Sequence, residues 1–152
     1  MSTKITALSE VSFDQWLPLW QAYLTFYESE LTTEQTQLSW HRITDLFQKE
    51  MFGYAIIMDD QVVGFVHLIS HMSMWTKLPY CYLQDLYVHE AYRHQGLARQ
   101  LIEHSYAVCV DKFDRVYWLT HENNQTAQRL YDRIATQTGF IQYKKALHSI
   151  AD

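Results

Sequence analysis

Glycine and proline are scarce, at four and two in 152 residues. That excludes collagen-like, low-complexity and linker-rich architectures, and it predicts one domain over residues 1–152. Cysteine is nearly absent. Cys81 and Cys109 cannot build a disulfide framework, and each lies in apolar sequence, so both read as buried thiols. Basic clusters are missing and the formal net charge is −5, which argues against a nucleic-acid partner and suits cationic substrates. No uninterrupted apolar run approaches membrane-spanning length, and the first ten residues lack the apolar core of a secretion signal. The expectation is a cytoplasmic protein in a reducing setting, with no membrane association.

Aromatics, by contrast, are plentiful: 11 Tyr, 7 Phe and 5 Trp. They suit a core and a ligand pocket equally, since Tyr and Trp combine a large apolar body with a polar tip. Ile5 to Leu8 is predicted as a short first strand. Phe13, Trp16, Leu17, Trp20, Tyr23, Leu24 and Tyr27 recur at helical spacing, with Asp14 as N-cap and Pro18 near the first turn or at a kink. A second helix starts at the capping-box sequence Thr32 to Gln35, turns Leu38, Ile43, Leu46 and Phe47 inward, and is broken by Gly53. Residues 54–58 and 62–69 flank Asp59-Asp60-Gln61 and predict a hairpin. A strand over 80–88, a helix over 97–110, a strand over 116–120, a helix over 124–137 ending near Gly139 and a last strand over 140–147 complete the order β-α-α-β-β-β-α-β-α-β. Strand 80–88, helix 97–110 and strand 116–120 form a parallel βαβ unit, whose ligands bind where strand meets helix.

That junction reads Val88-His89-Glu90-Ala91-Tyr92-Arg93-His94-Gln95-Gly96-Leu97-Ala98-Arg99. Free amides at a helix start, aided by the helix dipole, make an anion site. Gly96 lets the backbone approach a phosphate, small Ala98 keeps the helix start open, and Arg93 supplies a charged donor. The three glycines of a dinucleotide fingerprint and the Gly-Lys-Ser/Thr of a nucleotide-triphosphate loop are both missing.

Arg93-x-x-Gly96-x-Ala98 resembles the pyrophosphate loop of the GNAT superfamily of N-acetyltransferases. Tyr82 to Val88 looks like that family's fourth strand, and Asn124-x-x-Ala127-x-x-Leu130-Tyr131, followed by Gly139-Phe140, looks like its helix after the fifth strand. The likeness spans essentially the whole chain and is greatest to the small-substrate branch, which includes polyamine and amino-acid acetyltransferases. Two positions depart from the pattern: Gln84 stands where polyamine enzymes often carry an acid, and Ala98 replaces a glycine. The resemblance implies an α/β (α+β) fold with a mixed, mostly antiparallel sheet of six to seven strands, a central parallel β-α-β unit and helices on both faces.

It also implies acetyl-CoA as cofactor and a primary amine of a small molecule (polyamine, amino acid or aminoglycoside-like) as acceptor. Arg93, His94, Gln95, Gly96, Leu97, Ala98 and Arg99 would hold the pyrophosphate. Leu86, Tyr87 and Val88 would meet the pantetheine arm and the acetyl carbonyl by main-chain hydrogen bonds, and Asn124 and Ala127 would flank the arm. Tyr131 is implied as general acid to the departing thiolate, a role worth about 10²–10⁴-fold. Asp85, mid-strand near the expected acetyl position, is the first candidate for general base or for binding a cationic amine. His121 and Glu122 rank second. Tyr27 and Glu28, with Tyr23 and Phe26, lie at the helix joint that borders the acceptor site in similar enzymes, and Tyr23 reads chiefly as a core residue.

His67 and His71 alternate on one strand face without a third ligand, so no metal site is expected. A peptide lysine or N-terminal acetyltransferase and a non-catalytic acyl-CoA-binding module are the alternatives. Trp40, Trp75 and the Met72-Ser73-Met74 segment look adhesive, and a homodimer is the expected assembly.

Overall fold

The computed structural model describes residues 2–148. It divides into two units, at Met1–Trp118 and Leu119–Asp152. The first contains β1 (Thr3–Ala7), a 3₁₀ turn (Leu8–Glu10), α1 (Phe13–Phe26), α2 (Thr33–Thr44), β2 (Met51–Met58), β3 (Gln61–His71), β4 (Tyr80–Val88), a 3₁₀ turn (Glu90–Tyr92), α3 (Leu97–Cys109) and β5 (Arg115–Tyr117). The second contains α4 (Gln125–Ile134).

The five strands form one sheet in sequence order. Three pairings are antiparallel, and β4 and β5 run parallel. Six to seven strands were expected; the described residues form five. Residues 140–147 form no strand. Alternating side chains fit a strand only where a neighbouring edge accepts the backbone, and β5 pairs over just Tyr80↔Arg115 to Tyr82↔Tyr117.

Several boundaries follow caps that periodicity does not reveal. Ser12, not Asp14, caps α1, through a reciprocal capping box with Gln15. Pro18 therefore falls inside α1; the carbonyl it leaves without a helical donor belongs to exposed Asp14. Thr32 caps α2 as expected. That helix stops at Thr44, so Leu46 and Phe47 lie beyond it and are exposed. Gly53 does not end a helix but sits inside β2. A Cβ there would strike the Val66 carbonyl oxygen and come within 2.7 Å of Leu8 Cδ1. Asn124 caps α4 by accepting from the Ala127 amide, and the helix ends at Ile134, short of Gly139. The β2–β3 hairpin turns on Asp59 and Asp60, with φ of 51° and 65°, the two left-handed residues of a type I′ turn.

The sheet is covered on both faces. Trp16 and Trp20 of α1 pack on Phe65 and His67, in a cluster with Leu8, Leu19 and Ala55. Trp40 belongs to this core, 4.9 Å from the Trp16 ring, rather than to an adhesive surface. On the other face Leu97, Leu101, Ile102, Ser105 and Cys109 of α3 are buried. Cys81 and Cys109 are free, buried and in contact; the hydrogen bond that the Cys81 thiol donates to Cys109, together with burial, pushes the Cys81 thiol up.

One irregularity positions the site. The β3–β4 register pairs His67 with Asp85 but Leu68 with Leu83, so Gln84 is an extra residue in β4. Regular alternation would turn Cys81, Leu83 and Asp85 to the same face, toward α3. The bulge reverses the alternation, and Asp85 meets Tyr23 of α1 instead.

Gly53→Ala is expected to destabilise the fold by about 1–3 kcal/mol, because both the strand carbonyl and Leu8 would have to move. Urea denaturation followed by circular dichroism measures this.

Candidate active site

The face turned toward α1 holds a chain of side-chain hydrogen bonds. Trp16 Nε1 donates to His67 Nε2 at 3.2 Å. His67 Nδ1 lies 2.9 Å from Asp85 Oδ2, and the Tyr23 hydroxyl donates to Asp85 Oδ1 at 2.7 Å. An indole nitrogen can only donate, so Nε2 must keep its lone pair. The His67 proton is therefore on Nδ1, and it is donated to Asp85. His67 is a neutral imidazole here, and Asp85 accepts at both oxygens. The His67 and Asp85 side chains are only 8% and 14% exposed, so neither bond is washed out by solvent. Each bond to the carboxylate is worth about 1.5–3 kcal/mol.

The surroundings of Asp85 are aromatic. Tyr23 stacks on Trp20 and meets Tyr27, Phe65 and Tyr87 edge-on. Burial first, and then the Asp85 charge, push the phenols of Tyr23, Tyr27 and Tyr82 above their ordinary value. Tyr23 is thus both a core ring and a site hydroxyl. Tyr27 closes α1 as its C-cap, and Glu28 follows in a left-handed conformation with φ of 54°. His67 and His71 do share a strand face, but their nitrogens are otherwise engaged. His71 bonds the Met72 carbonyl and the Tyr117 hydroxyl, at 2.9 and 2.7 Å.

Beyond Tyr82, no strand among the described residues pairs with Leu83 to Val88 on the β5 side of β4. The following loop is braced from within. Arg93 Nε donates to the Val88 carbonyl at 3.0 Å, and its guanidinium lies over Tyr87 and Phe26. Arg93 is thus engaged in part by the loop itself. His94 and Gly96 both have positive φ, 65° and 77°. Gly96 N-caps α3 with no side chain accepting from the first turn, whereas Ser12, Thr32 and Asn124 do so for the other helices. A Cβ on Gly96 would meet nothing within 4 Å, so the glycine is set by its φ and by open space beside the amides of Leu97, Ala98 and Arg99. Leu97 is buried; Arg99 pairs with Glu103.

Asn124, Ala127 and Tyr131 share one face of α4, in the second unit. His121 and Glu122 precede that helix, and their carbonyls accept from the Gln128 amide. Among the residues expected from sequence, Tyr27 and Asp85 are brought together with Tyr23. His67, Trp16 and Tyr82 complete the group but were missed as site residues. Their partnership depends on the bulge, which leaves no mark in the pattern of apolar residues.

An open strand edge leading into an uncapped, glycine-started helix fits a diphosphate carrying an extended arm. A model of the acetyltransferase (GNAT) family matches residues 13–135, and the chain belongs to that family. It is an acetyl-CoA-dependent N-acetyltransferase. The D-amino-acid N-acetyltransferase HPA3 of Saccharomyces cerevisiae is 30% identical over 145 residues, 93% of this chain and 89% of the yeast protein. Among solved structures, the aminoglycoside acetyltransferase AAC(6')-Iy, held with a bisubstrate analog, superimposes with a TM-score of 0.82 at 14% identity, covering 96% of this chain and 99% of that one. The ribosomal-protein-alanine N-acetyltransferase of Brucella melitensis gives 0.75 at 17% identity, covering 96% and 100%. The last two likenesses establish the shared fold. No helix among the described residues is long and apolar enough to cross a membrane.

The raised tyrosines set a pH dependence. Their neutral forms are the ones the fold retains, so stability is full below the ordinary tyrosine value of 10 and falls as pH rises past it, where only the unfolded chain ionises. The urea midpoint is expected to drop between about pH 9 and 11, and to drop less steeply in Tyr23→Phe.

Proposed function

We propose that this enzyme acetylates the primary amine of a small molecule, and that the acceptor is delivered to Asp85 within its ring of tyrosines. The observation that carries this reading is the nearly buried carboxylate itself. It lies on the strand whose open edge leads to the α3 N-terminus, and its shell of Tyr23, Tyr27 and Tyr82 suits an alkylammonium through charge and cation–π attraction. The yeast relative supports a D-amino acid as the first acceptor to try. Glu28, His121 and Glu122 are proposed as outer contacts of the acceptor.

When bound, acetyl-CoA supplies an activated thioester. The amides of Leu97, Ala98 and Arg99, with the loop Arg93-His94-Gln95-Gly96, are proposed to hold its diphosphate, by the helix-start electrostatics described above. The free edge at Leu86, Tyr87 and Val88 is proposed to receive the extended arm by strand addition. Asn124, Ala127 and Tyr131 join this set through the family motif they carry, and Tyr131 is proposed as general acid. The family match runs across both units, which supports a single catalytic domain over 1–152. Two free buried thiols support a cytoplasmic setting. The exposed Met72, Met74 and Trp75 between β3 and β4 support a homodimer, which sedimentation tests.

Thiol release from acetyl-CoA, measured with D-amino acids, polyamines, aminoglycosides and lysine peptides, tests the acceptor class. Turnover on D-amino acids or other small amines is expected; turnover confined to peptides overturns it. Gly96→Glu is expected to abolish acetyl-CoA binding, read by calorimetry, with the circular dichroism spectrum unchanged. Its carboxylate would occupy and repel the phosphate path. Tyr131→Phe should lower kcat by about 10²-fold or more while leaving acetyl-CoA affinity intact.

A further inference from the structure

Both oxygens of Asp85 already accept hydrogen bonds from within the chain, and its side chain is nearly buried. An acceptor ammonium arriving at this face meets the donors that cover the carboxylate as well as the carboxylate itself. Of those donors, His67 is buried, as is Trp16 behind it. Tyr23 lies at the edge of the group, beside half-exposed Tyr27. Its oxygen donates to Asp85 and still has lone pairs with which to accept.

We propose that Tyr23 carries the acceptor's proton to Asp85, and that His67, fixed in one tautomer by Trp16, is the positioning residue that keeps Asp85 ready to receive it. This rests on the small-amine reading above. In the step, an N–H bond of the ammonium breaks and its proton goes to Tyr23 Oη. The phenol's own proton passes to Asp85 Oδ1, and the nitrogen keeps the electron pair with which it attacks. Release of the proton to solvent in the reverse order resets the pair. No redox partner is needed, and no phenolate accumulates, because Tyr23 gains one proton as it gives up another.

His67 suits the positioning role because it cannot compete for the proton. Its Nε2 lone pair is occupied by the Trp16 indole N–H, and its Nδ1 already bears a proton. The relay therefore ends at Asp85. The titratable groups facing Asp85 within the first unit are Tyr23 and Tyr27 from α1, His67 from β3 and Tyr82 from β4. Tyr117 of β5 stacks on Tyr82, and Arg93 lies over Tyr87. His67 is the one imidazole among these groups, and the Trp16 indole N–H occupies its Nε2.

The test uses the whole enzyme with acetyl-CoA and D-alanine, or the best amine of the panel if D-alanine is not turned over. Tyr23→Phe is expected to lower kcat by about 10²-fold at neutral pH with acetyl-CoA affinity unchanged. The deficit should shrink as pH rises, since solvent then supplies free amine, and it should be small for trifluoroethylamine, whose amine is largely unprotonated at neutral pH. His67→Leu should move the acidic limb of the pH–rate profile upward, because one donor to the carboxylate is lost. His67→Asn, whose amide N–H can replace Nδ1–H, should restore the limb in part. In ¹⁵N NMR, the wild-type His67 ring should show a proton on Nδ1 alone, and Trp16→Phe should allow Nε2 to be protonated. A Tyr23→Phe deficit that is equal at every pH and for both amines overturns the relay, as does a His67 proton on Nε2 in the wild type. Absence of wild-type turnover with every small amine would instead refute the acceptor reading.

Discussion

The antiparallel pairing of β3 with β4, with its single extra residue at Gln84, is the constraint on which the site depends. Regular pairing continued from Leu68↔Leu83 would set His67 beside Gln84; the extra residue brings Asp85 into register with His67 instead. The bulge decides which face Asp85 occupies. With it, Asp85 enters an aromatic layer that already contains Trp16, Tyr23 and Phe65. Without it, the carboxylate would turn toward the face that α3 covers with Leu97, Leu101 and Ile102, away from Tyr23 and His67.

The same layer packs the core and satisfies the carboxylate. Trp16 is fully buried, packs between Trp20 and Trp40, and fixes the proton on His67. Tyr23 contributes a ring to the core and a hydroxyl to Asp85. A buried carboxylate costs free energy unless its oxygens are satisfied, and both of these are. Trp20 differs: its Nε1 is buried with no partner among the described residues, so the layer is not uniformly satisfied.

Much of this was legible in the sequence. The α1 stripe, the two-aspartate hairpin turn, the stripe of α3 and the loop closing at Gly96 each follow from local rules of spacing, capping and backbone sign. The motifs around Arg93 and Tyr131 pointed to the family, which the match over residues 13–135 bears out. What escaped was non-local. Ser12 was overlooked as a cap because Asp14, two residues on, is an equally good residue type; reciprocity with Gln15 decides between them. Gly53 looked like a helix breaker, yet it is demanded by a strand carbonyl and a leucine from elsewhere in the chain. His67 suggested at most a metal, because its real partners are 51 and 18 residues away. Phe140 to Leu147 has strand-like composition, but composition does not provide a neighbour to pair with.

The donor-only character of the Trp16 indole has a consequence for how such a site can change over generations. Histidine next to aspartate usually admits two protonation states, and drift at the surface can tip the balance. Here the balance is held from beneath, by a ring that no solvent-facing substitution touches. Altering the acid–base character of this enzyme therefore requires a change in its interior, where a poor fit is penalised at once. Half-exposed Tyr27, at the rim of the group, is free of that constraint.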